Sequence, residues 1–171
     1  MKEHQDPPTL TEFQGWEIYP MPMFATIAVA DVAATTAWYE AALGFGVVFK
    51  APSPDGQPML VHLRRRKYQD LLIVPSRGEA SAPTSLTISF GIDGEIDDLA
   101  ARAHAAAPLG RSRVLGPVDT PWNTRDLRVT DPAGHELIFT ARNPNPDPKN
   151  VERMNAMFKD SQQEIKRSRE P

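Results

Sequence analysis

Two stretches of the chain begin in the same way. Residues 27–39 read IAVADVAATTAWY and residues 88–100 read ISFGIDGEIDDLA, each an alternating apolar run that meets an acidic residue and then turns helical. A repeat of this kind constrains the fold more than any single motif. Each copy has to be one supersecondary unit, and both copies have to bury their apolar faces by the same means.

The residues downstream of each copy complete the unit. After the first, apolar alternation over 47–50, 59–66 and 71–74 predicts three strands, with Ser53-Pro54-Asp55-Gly56 turning between the first two. The strand preceding the helix covers Phe24 to Val29, which gives the order β-α-β-β-β. After the second copy a weaker strand signal spans 113–118, and a hairpin occupies 121–140. In that hairpin Leu127 and Val129 alternate with Arg128 and Thr130, while Leu137 and Phe139 alternate with Glu136 and Ile138. Asp131-Pro132-Ala133-Gly134 is its turn, because Pro fixes φ and the Gly after it tolerates positive φ. The fold class is therefore α+β, built from two βαβββ modules.

The helices carry their own boundaries. Asp31 is placed as an N-cap, and the apolar face of Val32, Thr35/Thr36, Trp38/Tyr39 and Leu43 ends at Gly44. The second helix starts acidic at Asp93 and runs to Ala107, before Pro108 and Gly110. Residues 1–21 are polar and rich in proline and form an arm, with Trp16 and Tyr19 covering a core edge. A domain then runs over 22–143, its modules at about 22–80 and 84–142. Asn-Pro-Asn-Pro-Asp-Pro breaks the pattern, and residues 144–171 add a charged helix over Lys149–Arg169. That helix places Val151, Met154, Met157/Phe158 and Ile165 at helical spacing.

Composition closes several classes. The chain is 171 residues long with 40% hydrophobic residues, enough for a proper core. A formal charge of −3 offers no basic stripe for nucleic acid. With no cysteine, disulfides, thiolate metal sites and a Cys nucleophile are excluded. No apolar run approaches the ~20 residues needed to span a bilayer, and the first residues have no signal-peptide segment. The expectation is a cytoplasmic protein with neither nucleic-acid nor membrane partners.

Two segments carry a resemblance. Pro121-Trp122, then Arg125-Asp126-Leu127 and Asp131-Pro132-Ala133-Gly134, resemble the closing strands of the vicinal oxygen chelate superfamily. Residues 25–50, ATIAVADVAATTAWYEAALGFGVVFK, resemble that family's opening strand, Asp-capped helix and Leu-Gly-Phe helix exit. The superfamily holds glyoxalases, extradiol dioxygenases, fosfomycin-resistance enzymes and bleomycin-resistance proteins, and the Pro-Trp head is most similar to the last of these. The resemblance implies a curved mixed sheet around an open groove, helices on the outer face, and homodimers whose grooves are shared between chains.

It also implies where a metal would sit in the family's enzymes, at inward-facing positions on the first and last strand of each module. Those positions fall on Phe24, the Leu71–Val74 run, Thr87 and Ile138, which are apolar apart from one hydroxyl. Glu136 is the one nearby carboxylate, and one carboxylate does not hold a divalent ion against water. The expectation is therefore no metal, no cofactor and no catalytic residue. Of the histidines, His135 reads as a turn cap and His62 as a strand residue able to face the groove, while Arg64-Arg65-Arg66-Lys67 reads as a solvated hairpin tip.

What remains is a trough of carbon and hydroxyl suited to stacking a flat organic molecule and fixing it with a few hydrogen bonds. The candidate ligand-binding residues are Phe24, Thr26, Phe49, Met59, His62, Thr87, Ser89, Trp122, Arg125, Glu136 and Ile138. Arg125 and Asp126 are neighbours in a strand and point to opposite faces, and the sequence leaves open which one faces the ligand. The expected function is sequestration of an antibiotic or aromatic natural product. The alternative is a lyase, isomerase or dioxygenase-like enzyme with an atypical metal site or with metal-free acid/base catalysis through His62 or Glu136.

Overall fold

The computed structural model describes residues 12–13, 16–17, 21, 23–52, 56–76 and 86–167. The Ser53–Asp55 part of the expected turn, Tyr19, and the last residues expected in the C-terminal helix lie outside that set. The chain divides into two compact units, Met1–Ser81 and Ala82–Pro171.

In the first unit, β1 (Glu12–Phe13) and β2 (Trp16–Glu17) form a short antiparallel pair. The module proper is β3 (Ala25–Val29), α1 (Val32–Leu43), β4 (Gly46–Pro52), β5 (Pro58–Arg64) and β6 (Asp70–Pro75). Its four strands lie in the order β3-β6-β5-β4, with β3 parallel to β6 and the remaining pairs antiparallel. Helix α1 packs on β5 and β6. Ile27, Val29, Val61, Leu63, Leu71 and Ile73 are buried on the side it covers.

The ends of α1 behave as their residues dictate. Asp31 accepts the Ala34 N–H at 2.8 Å, which satisfies one of the amides that have no partner inside the helix. Gly44 adopts φ 68°, a left-handed exit that costs a residue without Cβ very little. Tyr39 is fully buried and meets the rings of Trp38 and Phe45 edge to face.

The second unit repeats the plan with β7 (Thr87–Ile92), α2 (Ile96–Ala105), β8 (Arg113–Asp119), β9 (Thr124–Thr130) and β10 (Glu136–Arg142). Strand order is β7-β10-β9-β8, with β7 parallel to β10. Ile92, Phe90, Leu127, Val129, Leu137 and Phe139 are buried, and the rings of Phe90 and Phe139 stack 5.1 Å apart. Helix α2 begins three residues later than the acidic run suggests, because Gly94 at φ 71° still turns the chain. The turn at 131–134 is held by Asp131, whose fully buried carboxylate accepts the N–H groups of Gly134 and His135 at 2.8 Å each. His135 instead accepts the Leu86 N–H at the head of β7, so the turn cap is the Asp and not the His.

The added helix, α3 (Pro148–Arg167), starts at Asp147, which accepts the Lys149 N–H at 2.9 Å. Its Met154 sulfur receives the Asn123 amide at 3.2 Å, while Met157 and Phe158 are exposed. No described helix is long and apolar enough to cross a membrane.

Candidate functional site

A strand's side chains alternate between two faces, and register partners share a face, so the paired residues define what each sheet presents on the side away from its helix. In the first sheet one row runs Thr26–Leu72–His62–Phe49. Thr26 and Phe49 are exposed, the latter by 47%, and Leu72 and His62 are partly exposed. Phe24 is also exposed and falls on the Thr26 side of the strand by alternation. Met59 is exposed, but the register shifts between the Ala51–Leu60 and Pro52–Pro58 pairs, so it is out of line with that row.

The same face carries a polar cluster that the sequence pattern misplaces. His62 Nε2 lies 2.6 Å from Asp70 Oδ1, and Arg64 Nε donates to the same oxygen at 2.7 Å. The Asp70 side chain is wholly buried and that of Arg64 nearly so. Arg65 is also drawn inward, its Nε donating to the Leu43 carbonyl at 3.2 Å. Arg64 and Arg65 are therefore not part of a solvated hairpin tip, whereas Arg66 and Lys67 are exposed at it, as expected. The tight return from Arg65 to Gln69 sets Arg64 opposite Asp70, and alternation puts His62 on their side. The signal was legible in principle, as an acid six residues beyond a basic residue across a short turn.

In the second sheet the corresponding rows are Thr87–Glu136–Thr130, Ser89–Ile138–Arg128 and Gly91–Thr140–Asp126. Thr87 and Ser89 are exposed, and Ile138 and Glu136 are partly so. Glu136 accepts from Arg128 Nη1 at 3.1 Å and from Thr87 Oγ1 at 3.4 Å. Asp126 shares this face and accepts the hydroxyl protons of Thr124, at 2.9 Å, and of Thr140. Arg125 has the opposite parity. It pairs with Asp97 in the first turn of α2 at 2.7 Å and with Asp119 at 3.3 Å. The structure thus does not bring Arg125 to the face of Thr87, Ser89, Glu136 and Ile138.

Trp122 occupies the β8–β9 turn and is 55% exposed. Thr120 donates its N–H to the Thr124 carbonyl at 2.8 Å, Asn123 donates to the Thr120 carbonyl at 3.3 Å, and Asn123 takes φ 62°. This is the three-residue hairpin loop that ends in a left-handed residue. The Trp122 ring is thereby held out at the tip of a strand pair.

The positions that hold metal in the family's enzymes by resemblance do not fit a divalent ion here. Their donors are the hydroxyl of Thr87 and, beside it in register, a Glu136 carboxylate already shared with Arg128. Phe24, Leu72 and Ile138 offer none. Among the described residues, no three His, Asp or Glu side chains converge as a metal-binding group.

Paired βαβββ modules whose sheets each leave one face uncovered define the glyoxalase-type class of fold. Residues 23–139 match the family model described as the glyoxalase/bleomycin resistance protein/dioxygenase superfamily, and the chain belongs to that superfamily. No curated protein gives a significant sequence match. Among solved structures, TioX from Micromonospora sp. ML1 is similar at 21% identity and TM-score 0.57, covering 70% of this chain and 97% of that one. The bleomycin resistance determinant encoded on transposon Tn5 is similar at 19% identity and TM-score 0.56, covering 70% and 96%. Lactoylglutathione lyase from Agrobacterium tumefaciens is similar at 24% identity and TM-score 0.51, covering 71% and 94%. At these identities the likeness is one of fold.

Proposed function

We propose that this protein binds a small organic molecule, an antibiotic or aromatic natural product, and sequesters it without covalent chemistry. The observation that carries the reading is the make-up of the uncovered sheet faces. Phe24, Thr26, Phe49 and Leu72 in the first unit present apolar surface with a hydroxyl, and Thr87, Ser89 and Ile138 in the second stand beside the Arg128–Glu136 pair. Trp122 adds an exposed ring at the tip of the β8–β9 turn. Flat ligands are bound by surfaces of this kind. A drug-sized ligand gaining about 0.3 kcal/mol per atom reaches the roughly 8 kcal/mol of a micromolar complex. Binding alone then protects a cell in which the protein outnumbers the toxin. The bleomycin-resistance structures that share the fold support this reading. The working form we propose is a cytoplasmic homodimer, which light scattering on the purified protein tests.

A thermal-shift screen against antibiotics and aromatic metabolites, with and without divalent metal, tests the binding function, since a ligand that favours the folded state raises its melting temperature. With a hit in hand, Trp122→Ala should weaken binding by ~1–3 kcal/mol if the ring stacks on the ligand. Unchanged affinity in a folded variant would remove Trp122 from the site. The enzymatic alternative is favoured by the likeness to lactoylglutathione lyase. Stoichiometric zinc, nickel, iron or manganese in the purified protein would support it.

A further inference from the structure

The His62–Asp70–Arg64 cluster goes beyond what a sheet face needs for packing. Arg64 is a permanent cation, and its Nε lies 2.7 Å from Asp70 Oδ1 in a buried setting, which keeps that carboxylate an acceptor. His62 Nε2 lies 2.6 Å from the same oxygen. A contact that short between two heavy atoms needs a proton, and a carboxylate paired to arginine does not supply one. The proton therefore sits on Nε2. In a neutral ring protonated at Nε2, Nδ1 carries a lone pair.

That lone pair has no hydrogen-bond partner among the described residues, and the His62 side chain keeps 13% of its surface exposed. It lies in the row between Phe49 and Leu72, with Thr26 beyond Leu72. Strands are spaced about 4.8 Å apart, so a fixed acceptor is flanked within one strand by an aromatic ring and an aliphatic chain, and the Thr26 hydroxyl stands roughly 10 Å away. We propose that His62, locked in one tautomer by Asp70 and Arg64, is the acceptor that orients the bound molecule. The ligand class is then a flat aromatic or heteroaromatic compound that carries an N–H or O–H donor on its edge. This rests on the binding function proposed above and adds the ligand feature being read.

The matched pair 2-naphthol and 2-methoxynaphthalene isolates that feature, because the two share a ring system and differ in the donor. In titrations of the intact protein, 2-naphthol should bind about tenfold more tightly, the scale of one added hydrogen bond. His62→Leu should erase the preference, so that the variant binds 2-naphthol no more tightly than 2-methoxynaphthalene. Long-range proton–nitrogen spectra of the unsubstituted protein should show His62 protonated at Nε2, with the Nδ1 signal displaced by 2-naphthol and not by its ether. This readout does not depend on the variant folding. Equal affinity for the two compounds, or a proton on Nδ1, would overturn the donor-reading role and leave a binding face intact. Failure of both compounds to bind would overturn that role together with the small-molecule reading of this sheet.

Discussion

The two modules share a topology and differ in what secures it. In the first, α1 has a side-chain N-cap at Asp31, a left-handed exit at Gly44 and a buried Trp38–Tyr39 pair. In the second, α2 has no side-chain cap bond and ends at Ala106 in an extended conformation, with acidic Asp97 and Asp98 in its first turn. The uncovered sheet faces differ in the same direction. The first carries a buried carboxylate shared by an arginine and a histidine, while the second carries an exposed pair, Arg128–Glu136, with side chains 50% and 37% exposed. Charge that is buried must be matched closely by its partners, and charge left in water need not be. On these faces the first sheet therefore holds its ion pair in a fixed, buried geometry, and the second leaves its ion pair in water.

The largest test of that contrast removes each carboxylate in turn. Asp70→Ala removes a buried carboxylate that Arg64 and His62 share and should cost ~3–5 kcal/mol of stability in urea unfolding. Glu136→Ala should cost no more than ~1 kcal/mol, since both partners are wet. Equal losses would erase the distinction. A smaller effect is expected at the helix starts, where Asp31→Ala should cost ~1 kcal/mol by loss of the Ala34 N–H bond. The smallest effect belongs to Arg125→Ala. Its pair with the 67%-exposed Asp97 predicts a loss below ~1 kcal/mol and no change in ligand affinity, measured by calorimetry. A loss of affinity there would return Arg125 to the site.

Most of the fold was legible in the sequence because local signals agreed with the global one. The alternation in 24–29, 88–92 and 136–140 marked which residues are buried, and Asp31 and Gly44 marked where a helix begins and ends. Elements were harder where the pattern is interrupted. Strand β4 runs over Gly46–Pro52, beyond its apolar stretch, and its two register shifts against β5 leave no mark in hydrophobicity.

The candidate site was legible in composition and less so in orientation. Phe49 and His62 are brought opposite each other, as are Ser89 and Ile138, and Thr87 and Glu136. The parity of Arg125 and Asp126 could not be read, because adjacent strand residues point apart and only the pairing with β10 decides which one aligns with Thr140. The buried Arg64–Asp70 pair was hidden for a different reason. Four consecutive basic residues look solvated until the tight turn after them fixes a partner across the hairpin.

We propose that the bound molecule is held and not transformed. The direct measurement is to incubate the protein with an equimolar ligand from the thermal-shift screen, once with chelator and once with added zinc, nickel, iron or manganese, then recover and weigh the ligand by mass spectrometry. Equal binding in every arm, with the ligand returned chemically unchanged, is the predicted result. A metal-dependent change in the ligand's mass, or in its structure at constant mass, would contradict the account and make this chain an enzyme.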